Sequence, residues 1–294
     1  MSSHHTRRGI LCVLAAMALF AVMDAGVKRL AQDYPVPHIL WVRFLFFFAF
    51  ALIIAGPKRL RGGLRSARPG LQVLRGILLM CEIALFIFAV RYLPLAETHA
   101  IASLAPLIVT ALSVPLLGEQ VGWRRWLAVL CGLVGVIAVM RPGLAVFQPA
   151  SLIALTGAGL WAIYQILSRL VGRVDDPSIT LLYTAVIGLA LTTLIGPWFW
   201  TPPDTLGWAL LLGVGLIGAI AHFLMVLAFR LSEAAQLQPY AFTLFPFAAL
   251  SGWAFFGDVP DMWTLIGGAI IVAGGLYAWN RERVRAIDTG QTAT

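Results

Sequence analysis

The chain has 294 residues, of which 60% are hydrophobic and only 12% charged, with a mean hydropathy of +0.89 and a formal net charge of +8 at pH 7. A soluble domain would carry about 25% charged residues, so a water-soluble fold and a disordered chain are both excluded. The apolar runs, each ~20 residues long, specify membrane helices; a membrane barrel would show ~10-residue segments of alternating polarity instead.

In chain order the predicted spans are 9–30, 36–56, 71–91, 96–117, 124–141, 150–171, 178–200, 206–230, 235–256 and 262–280. The first follows Arg7-Arg8 as a secretory leader would, but it is too long for one and is read as a retained helix. The connections are short and leave no room for a separate soluble domain. Cys12, Cys81 and Cys131 all fall inside predicted spans, which argues against a disulfide framework. Of the Lys and Arg residues near span ends, fifteen would face one side, among them Arg7, Lys58, Arg124, Arg173 and Arg281, and four the other: Lys28, Arg29, Arg91 and Arg141. That asymmetry predicts both termini in the cytoplasm of a multi-pass protein of the bacterial inner membrane. The positive charge therefore reports orientation and needs no nucleic-acid partner.

Internal repetition is the strongest signal in the chain. Phe20-Ala21-Val22-Met23-Asp24 with Lys28 matches Trp161-Ala162-Ile163-Tyr164-Gln165 with Arg169. Pro37 matches Pro177, Ser103 with Pro106 matches Thr243 with Pro246, Gly118-Glu119 matches Gly257-Asp258, and Gly135 matches Gly274, at offsets of 139 to 141 residues. The expected architecture is all-α and integral to the membrane, with ten transmembrane helices in two five-helix repeats, residues 1–142 and 143–294. Five is odd, so the repeats enter the membrane from opposite sides. Inverted repeats of this kind are a scaffold of secondary transporters with a midplane substrate site.

These features, with the proline-bearing fourth and ninth helices and Gly118-Glu119 closing the fourth, resemble the EamA-type drug/metabolite transporters over essentially the whole chain. Within that family YddG-type exporters of amino acids and related metabolites are the nearest likeness, and other branches carry riboflavin, S-adenosylmethionine or sugar conjugates. The first-helix run Met23-Asp24-Ala25 with Lys28 departs from the Trp- and Asn-containing version common in the family.

Ionisable groups within spans are costly and so are functional candidates. Asp24, Arg43, Glu82, His99 and His222 lie within predicted spans, and Lys28 and Arg75 nearer their ends. Asp24 precedes Lys28 by one turn, so it either pairs with Lys28 or Arg43 or binds a substrate ammonium or proton. Glu82 and His222 fall at matched midplane depths under the repeat and could face each other across a cavity. The fourth helix aligns His99, Ser103, Pro106 and Thr110 on one stripe; the ninth carries Pro239, Thr243 and Pro246, with Gln236 and Tyr240 close by. Proline frees a backbone carbonyl one turn back, which predicts kinks toward the interior. On the sixth helix Trp161, Tyr164, Gln165 and Ser168 share a face suited to an organic substrate with apolar and polar parts. Glycines at 132, 135, 267, 268, 274 and 275 make the fifth and tenth helices rich in small residues that permit close helix approach, the last helix of a unit packing one half against the other or staying peripheral.

The candidate substrate-binding residues are therefore Asp24, Glu82, His99, Ser103, Trp161, Tyr164, Gln165, His222, Tyr240 and Thr243. No catalytic residues, metal ligands or cofactors are expected, and no P-loop for ATP occurs. The predicted function is secondary transport by alternating access, with export of amino acids or related small metabolites as the leading reading. Uptake of a larger metabolite such as riboflavin or S-adenosylmethionine is the alternative, ahead of a lipid flippase, a channel or a membrane enzyme. The expected partners are a small-molecule substrate, the lipid bilayer and a coupled proton, in a monomer or weak homo-oligomer.

Overall fold

The structure, a computed structural model, describes residues 3–61, 65–117, 123–141, 148–232, 237 and 240–288. Eleven α-helices and one short 3-10 turn account for the secondary structure among them: α1 (Ser3–Asp33), α2 (Val36–Arg61), α3 (Pro69–Tyr92), α4 (Leu95–Ala102), α5 (Ala105–Leu117), α6 (Trp123–Met140), α7 (Ala150–Gly172), α8 (Pro177–Thr193), the turn Gly196–Phe199, α9 (Thr205–Leu231), α10 (Leu244–Phe256) and α11 (Met262–Asp288). Among the described residues six helical stretches have the length and hydropathy to cross a membrane, and four shorter apolar helices accompany them. Gln236, Pro239 and Gly118-Glu119 lie outside the described residues.

Local chemistry sets the helix ends. Asp176 caps α8 by accepting from the Ser178 backbone N–H at 2.9 Å, with Pro177 at the first helical position. Asp204 caps α9 through Gly207 N–H at 2.7 Å. Gly56 (φ 70, ψ 163) breaks α2, so its unbroken span is Val36–Gly56, the predicted 36–56. Gly257 ends α10 in the left-handed conformation, with Asp258 N–H returning to Gly252 O at 3.2 Å.

The predicted fourth span is two helices. α4 stops at Ala102, Ser103 and Leu104 form a turn, and α5 restarts at Ala105 ahead of Pro106. Ser103 Oγ donates to His99 O at 2.7 Å, a carbonyl that also accepts from the Ser103 backbone N–H at 2.9 Å, so the residue closes the last turn of α4 twice. The same interruption recurs at Phe242-Thr243 ahead of Pro246, where Thr243 Oγ1 donates to Tyr240 O at 2.6 Å. The kinks predicted from these prolines are thus present at matched positions.

A core running through the bundle joins α1, α2, α3, α8 and α9, with Met17, Phe44, Leu79, Leu182 and Met225 among its buried members. α6 and α11 form a separate seam. A Cβ on Gly135 would meet Gly267 O at 2.6 Å, so the two backbones touch. Arg141, at the end of α6, pairs with Asp261 at 2.7 Å, and Asp261 caps α11 by accepting from Thr264 N–H at 2.7 Å. Burial would raise the Asp261 carboxyl, but the bonds from Thr264 and the charge of Arg141 hold it below its ordinary value.

Lys28, near the end of α1, binds Asp258, just before α11 begins. The close of α1 and the start of α11 therefore share one end of the bundle, called here the far end. The outer ends of α1 and α11 mark the near end.

Candidate functional site

The bundle encloses about 930 Å³ of non-atom space, its open mouth included, at the level where α4 breaks into α5. Its lining comes from α1, α2, α3, α4, α5, α7, α9 and the segment leading into α10. Seven of the ten candidate residues reach it: Asp24, Glu82, His99, Ser103, Trp161, Gln165 and His222. Tyr164, Tyr240 and Thr243 do not line it; Ala241 and Leu244 do so from the neighbourhood of the last two.

The charged wall is built from three helices. Asp24, 4% exposed, sits on α1 with Oδ2 3.1 Å from Nε2 of His99 on α4. The two atoms are in contact, but the His99 ring is not aligned for a hydrogen bond to the carboxylate. Arg43 on α2 is 3% exposed and lies in electrostatic range of both Asp24 and Glu82. It makes no direct ion-pair contact among the described residues, and its guanidinium rests close over Gly218, where a Cβ would come within 3.3 Å of Nη2. Glu82, half-buried, completes this wall from α3.

One expectation is corrected here. The turn spacing of Asp24 and Lys28 allowed an ion pair within α1, but Lys28 reaches Asp258 at 2.5 Å and Leu93 O at 3.5 Å, over the Phe256 ring at 5.0 Å. Lys28 points up toward the far end, where three chain segments offer it oxygen and aromatic partners, whereas Asp24 turns inward to His99.

Aromatic rings complete the lining. His222 on α9 contacts Phe20 at 4.9 Å, Phe47 at 5.7 Å and Trp161 at 6.0 Å, ring centroid to centroid. Its Nδ1 lies 3.0 Å from Gly218 O, and a carbonyl only accepts, so Nδ1 carries the proton. That assignment leaves Nε2 as an acceptor, buried and without a hydrogen-bond partner in the described structure. His222 and Glu82 share the cavity but do not touch; Arg43 is in electrostatic range of both.

The predicted face of α7 divides. Trp161 and Gln165 face the cavity, while Tyr164 and Ser168 turn to Arg75 of α3. Arg75 is wholly buried and was read from the sequence only as a residue near a helix end. It donates to Gln72 Oε1 at 3.2 Å, Tyr164 Oη at 3.0 Å, Ser168 Oγ at 3.4 Å, Thr180 O at 2.5 Å and Thr184 Oγ1. Gln72 extends the cluster to Asp175 at 2.8 Å, which also accepts from Ser66 and from Ala67 N–H at 2.9 Å. Burial would raise the Asp175 carboxyl, yet these bonds hold it below the ordinary carboxylate range. Tyr164 in turn stacks on Trp161 at 5.1 Å and 19°, so the cluster braces a cavity wall from behind.

Sequence reasoning left Arg43 out of the site. Its signal was available, since a buried cation in a span is itself a functional marker, but an ion pair with Asp24 offered a sufficient structural reason for it.

The chain matches the EamA-like transporter family twice, over residues 7–141 and 148–278, and it belongs to that family. It is therefore a multi-pass membrane protein of transporter type. It is similar to a riboflavin transporter of Vibrio cholerae, 29% identical over 96% of this chain and 97% of that one. It is also similar to an S-adenosylmethionine uptake transporter of Rickettsia prowazekii, 24% identical over 94% of this chain and 93% of that one. A third relative, the pseudopaline exporter CntI of Pseudomonas aeruginosa, is 25% identical over 90% of this chain and 94% of that one. One solved crystal structure shares the fold, with a TM-score of 0.66 at 21% identity over 95% of this chain and 98% of that one.

Proposed function

We propose that this member of the EamA-like family is a secondary carrier for a heteroaromatic metabolite of the riboflavin or S-adenosylmethionine kind. In this reading two inverted repeats, residues 1–142 and 143–294, rock about a midplane cavity, with both termini cytoplasmic. The observation that carries it is the presence of aromatic rings and charged groups in the lining of a single cavity. Phe20, Trp161 and the His222 ring line it together with Asp24, Arg43, Glu82 and His99. A fused ring system packs against aromatic faces such as those of Phe20 and Trp161. A polar tail meets the charged wall. The names of the riboflavin and S-adenosylmethionine relatives support the same substrate class.

Amino acids are the second reading, supported by Arg43 standing in range of two carboxylates, an arrangement that suits a zwitterion. Flux in reconstituted liposomes separates the two. Riboflavin and S-adenosylmethionine are expected to move with saturation and trans-stimulation, and Trp161→Ala should cut the initial rate about tenfold, the cost of losing an aromatic stacking partner. An imposed pH gradient tests proton coupling in the same vesicles. Saturable flux of amino acids, with neither heteroaromatic compound bound or moved by folded protein, would overturn the first reading in favour of the second.

A further inference from the structure

Asp24 and Lys28 lie one turn apart on the same face of α1, and each ties that helix to a different neighbour. The lower tie, inside the cavity, is Asp24 Oδ2 to His99 Nε2 of α4 at 3.1 Å. The upper tie, beyond the cavity lining, is Lys28 Nζ to Asp258 Oδ2 at 2.5 Å and to Leu93 O at 3.5 Å. Leu93 joins α3 to α4, and Asp258 follows the Gly257 cap of α10. On α1, α3 and α10 alike, the chain passes from cavity-lining residues toward the far end and arrives at this one ammonium. Its side chain is 11% exposed and that of Asp258 is 30%.

The placement of Asp258 is local in origin. Gly257 takes φ 70, and Asp258 N–H closes back on Gly252 O at 3.2 Å, which turns the carboxylate inward over the bundle. Leu95 at the start of α4 packs against Gly252, where a Cβ would stand 3.6 Å from the Leu95 Cβ, so α4 and α10 meet directly beneath the ion pair.

We propose that the Lys28–Asp258 pair is the far-end latch of the transport cavity, with Asp24–His99 as a second rung one turn deeper on the same helix face. Lys28 and Asp258 act as positioning residues: they hold α1, the α3–α4 junction and the end of α10 together while the far end is shut. The pair opens when the cavity is presented to that side. The lower rung lies in the cavity wall, where a ligand donor group can take Asp24 from His99 and leave α1 held by the latch alone. The inference rests on the carrier reading, because a latch has a role only if the cavity is exposed alternately.

The test reads exposure instead of flux. Thr98 lines the cavity beside His99. A single cysteine there, T98C, is placed in a chain whose Cys12, Cys81 and Cys131 are replaced by serine. A membrane-impermeant maleimide is then applied from the side opposite the termini. Lys28→Ala and Asp258→Ala are each expected to speed labelling about tenfold, the lower range for losing a hydrogen bond to a charged group. The exchanged pair K28D/D258K should restore slow labelling, which a general loosening of the fold could not do. Asp24→Asn should speed labelling by a smaller factor, because the latch remains. Labelling that is unchanged in both single variants, or equally fast in the exchanged pair, overturns the latch. Parallel flux measurements keep the two readings apart. Normal flux with unresponsive labelling removes the latch alone, whereas responsive labelling in a protein that moves no solute removes the carrier reading and leaves the closure standing.

Discussion

Replacing Arg75 by lysine keeps the charge and removes the geometry. In the native protein the guanidinium spans three helices: Gln72 on its own α3, Tyr164 and Ser168 on α7, and Thr180 and Thr184 on α8. A lysine ammonium is one point with three donors and cannot serve α7 and α8 together from that position. Two of the charge-assisted bonds are then lost, at ~1.5–3 kcal/mol each, giving a destabilisation of about 3–5 kcal/mol, as for other broken buried charge clusters. With ~2–4 °C of midpoint per kcal/mol for a large chain, Arg75→Lys should lower the unfolding midpoint by about 6–20 °C. Thermal unfolding in detergent, followed by tryptophan fluorescence and by recovery of monodisperse protein, measures this directly. Trp161, stacked on Tyr164, should also report a local change before the global transition. A midpoint within about 2 °C of the native value would refute the reasoning, since it would mean that the cluster tolerates a point charge and that its fork geometry contributes little.

Three further outcomes are expected. The Asp175 carboxyl sits below its ordinary value when folded, so its stabilisation is present above the usual carboxylate pKa of ~4 and is lost as pH falls through the folded value. Asp175→Asn should therefore be less stable than the native protein at pH 7, and the two midpoints should converge in acid, as a pH series of melting curves will show. Gly135→Ala places a methyl against Gly267 O and should cost ~1–3 kcal/mol, read as a lower midpoint with no change in the T98C labelling rate. Gly257→Ala forces an alanine into a left-handed φ of 70, at ~1–2 kcal/mol, and should both lower the midpoint and speed far-side labelling by releasing Asp258.

The helical class and the helix positions were legible because the bilayer imposes one rule on every span: enough apolar residues to cross, with all backbone groups satisfied internally. The predicted 36–56 ends at Gly56, where φ turns positive, and the prolines at 106 and 246 each follow a break. The cavity was legible in part, because an ionisable residue in a span needs a reason, and Asp24, Glu82, His99 and His222 all reach the lining. What could not be read were partners distant in sequence. Lys28 finds Asp258 across 230 positions, whereas the helical spacing alone pointed to Asp24. Tyr164 shares a nominal face with Trp161, but that face is broad enough for one ring to meet the cavity and the next to meet Arg75. Arg75 gave no signal of its depth, since its five acceptors come largely from α7 and α8, and no local pattern records them.

The glycine seam between α6 and α11 contributes no residue to the cavity lining, and neither does α8. Where two backbones touch at Gly135 and Gly267, the side chains of Ile271 and Val139 close in over the glycines, so neither position has room for a Cβ. The tightness of the seam thus comes from what its glycines lack, and it is held at a place that adds nothing to the cavity wall.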